Sequence, residues 1–264
     1  MSGGHGHAHG LYRPGRSAVH LMRPEVKVAA TLAFVLAVVA TPRHAFPVFA
    51  LDAVLVAVVA RRAGLPLPTL LRRLVVEAPF VAFALFLPLV GEAPRTDVPG
   101  LGLSLSEPGL WAAWNILVKG TLGVAATVLL ASTTTVAELL YGLDRLKVPR
   151  AFTAIAGFMV RYADVIVGEA RRMRIARLSR GDDPRWIWQA RGLAASAGTM
   201  FIRSYERGER IHVAMLSRGF TGELPPTTPD RSDDRHRREW LTAAAVPAIA
   251  AAGAVLAVAR GLAT

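Results

Sequence analysis

Five apolar blocks, each with at most one charged residue, constrain this chain more than any other feature. They run from Val26 to Thr41, Ala45 to Ala60, Leu74 to Val90, Leu110 to Val136 and Leu241 to Ala259. A helix that crosses a bilayer needs about 20 apolar residues, with about 17 as the lower limit. The blocks lack the strict alternation of a half-buried strand, so they read as helices. Composition agrees: 53% of the residues are hydrophobic and 19% charged, where a soluble domain carries about a quarter charged. The fold class expected is an all-α, polytopic membrane protein with about five spans. The first two blocks are short and meet at Thr41-Pro42-Arg43-His44, which reads as a tight helical hairpin.

The charges orient these spans. Lysine and arginine exceed aspartate and glutamate by 31 to 19, a formal net charge of +12. Arg13, Arg16, Arg23 and Lys27 precede or open the first span, and Arg61, Arg62, Arg72 and Arg73 fill the second loop. The third loop, Gly91 to Gly109, carries Glu92, Asp97 and Glu107 against Arg95 alone. Short basic loops stay in the cytoplasm, which puts the N-terminus and the second loop inside and the third loop outside. A sixth candidate, Phe152 to Val167, contains Arg161 and Asp164. Were it to cross, the basic residues from Arg171 to Arg238 would lie outside, so five spans fit the rule better than six. The opening MSGGHGHAHGLYRPGRS has no apolar core and does not read as a cleaved signal peptide. The expected organisation is a His- and Gly-rich arm (1–23), a four-helix membrane region (24–136), a cytoplasmic region (137–222), a linker (223–239) and a last span (240–264). Location in the inner (plasma) membrane follows.

The cytoplasmic region carries the functional signal. Phe152, Ile155, Met159, Ala163, Ile166, Ala170 and Met173 recur at three- and four-residue steps, an apolar stripe on one helix. Gly181-Asp182-Asp183-Pro184 ends that helix, with glycine after the last turn and proline just beyond. A second helix runs from about Pro184 or Trp186 to Arg218 and closes at Gly219; a short amphipathic piece, Val136 to Leu146, precedes both. The two long helices end alike. Ile175 to Gly181 reads IARLSRG and Val213 to Gly219 reads VAMLSRG, 38 positions apart. One such string is ordinary helix-end chemistry, because arginine suits the negative end of the dipole. Two matched copies in one segment point to paired presentation of Arg180 and Arg218, whose planar forks can grip a carboxylate or several carbonyls.

On these residues the chain resembles the transmembrane T component of energy-coupling factor transporters, most closely the cobalt-type branch. The resemblance rests on Pro24-Glu25-Val26-Lys27, on Phe201-Ile202-Arg203-Ser204-Tyr205-Glu206-Arg207 and on both Ser-Arg-Gly endings. It implies a scaffold that clamps two ATP-binding cassette ATPase subunits, with Ser179, Arg180, Gly181, Ser217, Arg218 and Gly219 as the coupling residues. The family pattern is often Ala-Arg-Gly; serine keeps the position small. The apolar faces, with Phe152, Ile155, Met159, Leu193 and Met200, would grip a substrate-capturing membrane subunit; packing within the chain is the bland alternative. The substrate implied is cobalt, with nickel or a vitamin as alternatives.

Other chemistry is excluded or weak. With no cysteine, disulfides, thiol catalysis and Cys-based metal sites are out. No Gly-x-x-x-x-Gly-Lys-Ser/Thr string occurs, so ATP is expected to be hydrolysed by partners. No catalytic residue and no cofactor are assigned. His5, His7 and His9 alternate in a Gly-rich arm and could hold a metal weakly; a solvated arm is the default, and no metal site is assigned. The basic segment mixes acids among its arginines and lacks interleaved aromatics, which argues against nucleic acid. An autonomous carrier or enzyme would need converging polar groups in the bilayer, and Asp52, Glu77 and Lys119 are scattered. Asp52 and Lys119 lie at similar depth with opposite sign, so an ion pair between them is the simplest expectation. The alternative is a snorkelling Lys119 and an Asp52 facing a polar crevice, each alone. Glu77 is expected to be satisfied locally, one turn after Arg73.

Overall fold

The computed structural model describes residues 12–91, 94–98, 103–182, 191–221 and 233–261. Ten α-helices are present among them: α1 (Ala18–Leu21), α2 (Pro24–Ala40), α3 (Phe46–Arg62), α4 (Leu67–Arg73), α5 (Ala78–Val90), α6 (Glu107–Thr133), α7 (Val136–Arg145), α8 (Arg150–Ser179), α9 (Arg191–Leu216) and α10 (Asp233–Ala259). A 3₁₀ turn, Leu74–Glu77, joins α4 to α5. The chain is an all-α polytopic membrane protein, with one short strand pair among the described residues, in the third loop. There β1 (Arg95–Val98) pairs antiparallel with β2 (Leu103–Ser106).

The chain divides into two units, 11–146 with 230–264, and 147–229 with the first ten residues. In the larger, α2 packs against α10, α6 and α7, and α5 against α6. Local chemistry sets the starts. Proline stands in the first turn of α2, α3 and α6, where its missing N–H costs nothing. Thr135 and Glu138 form a reciprocal capping box at α7, satisfying two otherwise unpaired donors.

Phe34, Val38, Phe49, Val56, Leu122 and Leu129 meet in the core of this unit, and Ala243, Ala250, Ala254 and Ala257 of α10 are buried beside it. Small residues on a helix face let backbones approach closely, the usual packing of helices in lipid. Polar ties sit at one end: Arg23 reaches Glu25 at 3.7 Å and Glu239 at 4.0 Å. Lys27 Nζ donates to the Thr133 carbonyl at 2.9 Å, at the negative end of α6.

By length and composition, four helical stretches can cross a membrane: Pro68–Val90, Glu107–Thr133, Arg150–Ser179 and Arg238–Ala259. Three coincide with expected spans. The helices of the first two blocks have 17 residues each, about 25 Å against a hydrocarbon core of about 30 Å. One boundary differs from expectation: α10 is already helical at Asp233, eight residues before the apolar block; α9 is described from Arg191, and its expected start lies outside the described residues. The stretches 183–190 and 222–232, and the arm with His5, His7 and His9, lie outside the described residues.

Candidate coupling site

The two matched strings fold into matched helix ends. At the first, Gly181 N–H donates to the Leu178 carbonyl and Asp182 N–H to Arg177, both at 3.0 Å. At the second, Gly219 donates to Leu216 and Phe220 to Met215, also at 3.0 Å. These are the paired bonds of a Schellman motif, which needs a left-handed residue just past the helix. Gly181 (φ 79°) and Gly219 (φ 81°) supply it, and any residue with a Cβ there is strained. The serines add a second lock: Ser179 Oγ donates to the Ile175 carbonyl at 2.9 Å and Ser217 Oγ to Ala214 at 3.0 Å.

Arg180 and Arg218 thus occupy the same position at two copies of one motif, both exposed. Among the described residues no salt bridge engages either guanidinium. The neighbouring Arg177 does have a partner, its Nε lying 2.8 Å from Asp182 Oδ2. A backbone lock therefore holds each tip while leaving the motif arginine open to an outside acceptor.

Between the tips, Glu169 of α8 receives Arg203 Nη1 on one carboxylate oxygen and Arg207 Nη2 on the other, each at 3.0 Å. Hydrogen bonds from Arg203, then from Arg207, hold its carboxyl below the ordinary glutamate range. Sequence reasoning quoted both arginines yet missed this bridge. A signal was available, since Glu169 and Arg207 are separated by the same 38 positions as the two endings. The apolar residues expected to grip a partner are turned outward: Phe152 and Met159 are each 68% exposed, Ile155 and Leu193 also exposed, and Met200 half-buried.

The charges within the membrane unit correct the sequence reading. Asp52 and Lys119 do not pair. Lys119 Nζ donates to the Val39 carbonyl at 2.7 Å, in the last turn of α2, where carbonyls lack intrahelical partners. Asp52 is fully buried, and neither carboxylate oxygen accepts a hydrogen bond. The direction each side chain faces around its helix axis was not available to the sequence reading. Nor does Arg73 satisfy Glu77. Thr121 Oγ1 of α6 lies 3.2 and 3.1 Å from the two Glu77 oxygens, while Arg73 reaches the Ser132 hydroxyl. Gly120 makes room, because a Cβ there would stand 2.6 Å from Glu77 Oε1. No cluster of histidine and acidic residues suited to a metal occurs among the described residues.

Residues 15–228 match the family described as CbiQ, cobalt transport protein. The chain belongs to this family. The match spans α1 to α9 and both tips and stops before α10. An energy-coupling factor transporter transmembrane protein, EcfT, of Heliobacterium modesticaldum is 26% identical over 224 residues, 81% of this chain and 84% of that protein. A cobalt transport protein CbiQ of Rhodobacter capsulatus is 29% identical over 128 residues, covering 47% and 50%. An uncharacterized protein of Methanocaldococcus jannaschii is 28% identical over 130 residues, covering 49% and 48%. Over the last two, the chain spans about half the relative's length.

Proposed function

We propose that this CbiQ-family chain is the coupling subunit of an ATP-driven importer, relaying the motion of two ATPase subunits to a substrate-capturing membrane subunit. The observation that carries the reading is the duplicated tip: two identical Schellman endings, each presenting one arginine with no salt bridge among the described residues. A single partner binding one patch would not call for two equal ends. A pair of like subunits that close and open would.

In this reading α8 and α9 are cytoplasmic, although α8 is long and apolar enough to cross. Glu169 ties α8 to Arg203 and Arg207 of α9. Helix α9, which also carries Glu206, Glu209 and Arg210, is long enough to cross but too charged to count as a span. Taking α8 into lipid would draw those charges with it, at several kcal/mol by the usual order of magnitude. The five spans are then α2, α3, α4 with α5, α6 and α10, with the N-terminus and the basic second loop inside and the β-hairpin outside. The exposed faces of α8 and α9 are the surface for the substrate-capturing subunit. Cobalt is the substrate favoured, because the relative of Rhodobacter capsulatus carries that name.

The test is charge reversal at the tips. Arg180→Glu with Arg218→Glu is expected to abolish metal uptake and co-purification of ATPase subunits while membrane insertion is retained, since reversal at a closed interface leaves charges unpaired. Uptake at the wild-type rate in the double variant contradicts the assignment. Cobalt, nickel and vitamin uptake assayed side by side identifies the substrate.

A further inference from the structure

Across the 56 residues of α8 and α9 the single buried side chain is a carboxylate, Glu169. Two helices normally associate by burying apolar residues between them. These two, instead, are joined where Glu169 is held by Arg203 and Arg207, both at 3.0 Å.

The bridge sits at a symmetric place. Glu169 lies eleven residues before Arg180, and Arg207 lies eleven residues before Arg218. The strings EARRMRIARLSRG and RGERIHVAMLSRG align without a gap from Glu169 and Arg207 to the two glycines. Each arm is therefore about 16 Å along its helix axis. A groove of about 350 Å³ opens on one side of the bridge, walled by Phe158, Tyr162 and Ile166 of α8 and by Arg207, Ile211 and Met215 of α9. The α8 wall precedes Glu169 and the α9 wall runs onward from Arg207, so the helices pass in opposite senses and their tips lie on opposite sides of the bridge.

We propose that Glu169, gripped by Arg203 and Arg207, is the fulcrum about which α8 and α9 turn, and that it keeps the two tip displacements equal. A carboxylate between two guanidiniums suits a pivot. Each guanidinium meets one carboxylate oxygen through a single nitrogen, and acceptor directions at such an oxygen are broad, so the contacts tolerate a modest change of angle. Interlocked apolar side chains, by contrast, resist a change of crossing angle. The adjoining groove supplies the space that such a turn consumes. With arms of about 16 Å, a turn of about 10° sweeps each tip by about 3 Å. Glu169 is thus a positioning residue. Its geometry stands by itself; its consequence for transport rests on the coupling reading above.

The test uses the full, naturally cysteine-free chain in nanodiscs. Spin labels go on Ile175→Cys and Val213→Cys, which are exposed, lie one on each arm and leave both Ser-Arg-Gly endings intact. The wild-type background is expected to give one narrow interspin distance. Glu169→Ala and the near-isosteric Glu169→Gln are expected to broaden or split it, with helix content unchanged by circular dichroism, and Glu169→Asp to restore most of the narrow peak. Distance distributions for Ala and Gln that superimpose on wild type overturn the proposal. In the complex reconstituted with its ATPase subunits, Glu169→Ala is expected to keep the ATPases bound and hydrolysing while substrate moved per ATP falls at least about tenfold; uptake per ATP at the wild-type value overturns the transport consequence. If the unmodified chain retains no ATPase subunits, the coupling reading fails, and the distance measurement still decides the fulcrum.

Discussion

Phe34 on α2 is 3% exposed and Phe152 on α8 is 68% exposed, although both stand on long helices of one chain. The first belongs to a core that α2, α3, α6 and α10 close among themselves. The second belongs to a pair of helices that leave Phe152, Met159, Phe201, Tyr205 and Val213 uncovered and bury only a carboxylate. Both regions expose large apolar side chains, Leu36, Phe80 and Phe86 in the first and Phe152, Met159 and Phe201 in the second, but the first has a closed apolar core behind them and the second has none among the described residues. Exposed apolar patches of this extent mark interaction surfaces. The contrast also separates the polar groups by job. Lys27 and Lys119 tie helix ends within the membrane unit, while Arg180 and Arg218 are held in place with their charges left open.

The comparison breaks most visibly under truncation. Phe34→Ala is expected to cost about 3–5 kcal/mol, the usual cost of emptying a core phenylalanine, whereas Phe152→Ala should change the chain's own stability by less than about 0.5 kcal/mol. Thermal unfolding in detergent checks both, and an equal loss would mean that the α8 face is covered within the chain. Glycine replacement sharpens it. Gly181→Ala or Gly219→Ala forces a Cβ into a left-handed residue and is expected to destabilise its tip by about 1 kcal/mol. Gly198→Ala, inside α9 with open space at its Cβ, should instead stabilise by about 0.5–1 kcal/mol. Hydrogen exchange at the helix ends reads both signs. The smallest effect is with acid. Because the folded-state carboxyl of Glu169 lies below its ordinary value, its contribution is fully present above the unfolded value of about 4.3 and is lost as pH falls through the folded one. Exchange in α8 and α9 should therefore rise below about pH 4, and Glu169→Gln should remove that dependence.

Sequence legibility follows the range of the forces involved. The apolar blocks, the proline starts and the glycine stops are local, and helices α2, α3, α6 and α8 stand where composition and end signals put them, while α10 covers its apolar block but starts eight residues before it. The tips were legible because a glycine, a serine and an arginine within seven residues encode a complete motif. The hairpin at Arg95–Ser106 was not legible, since two four-residue strands carry too little periodicity, nor was the 3₁₀ break at Leu74–Glu77 inside an unbroken apolar run. Partners of buried charges were missed for one reason. Thr121 meets Glu77 from 44 residues away and Val39 meets Lys119 from 80, and rotation about a helix axis is fixed only by packing. Glu169 was passed over because a lone acid among arginines reads as a solvated face until its two partners stand beside it.

The central claim is that one chain engages two ATPase subunits, one at each tip. A photo-activatable crosslinker placed on Ser179→Cys alone or Ser217→Cys alone, in the chain purified with its transporter, measures this directly. Each position is expected to yield one adduct with an ATPase subunit, and the doubly labelled chain an adduct carrying two. Adducts from one tip only, or two tips that never capture two ATPase subunits on the same chain, would contradict it.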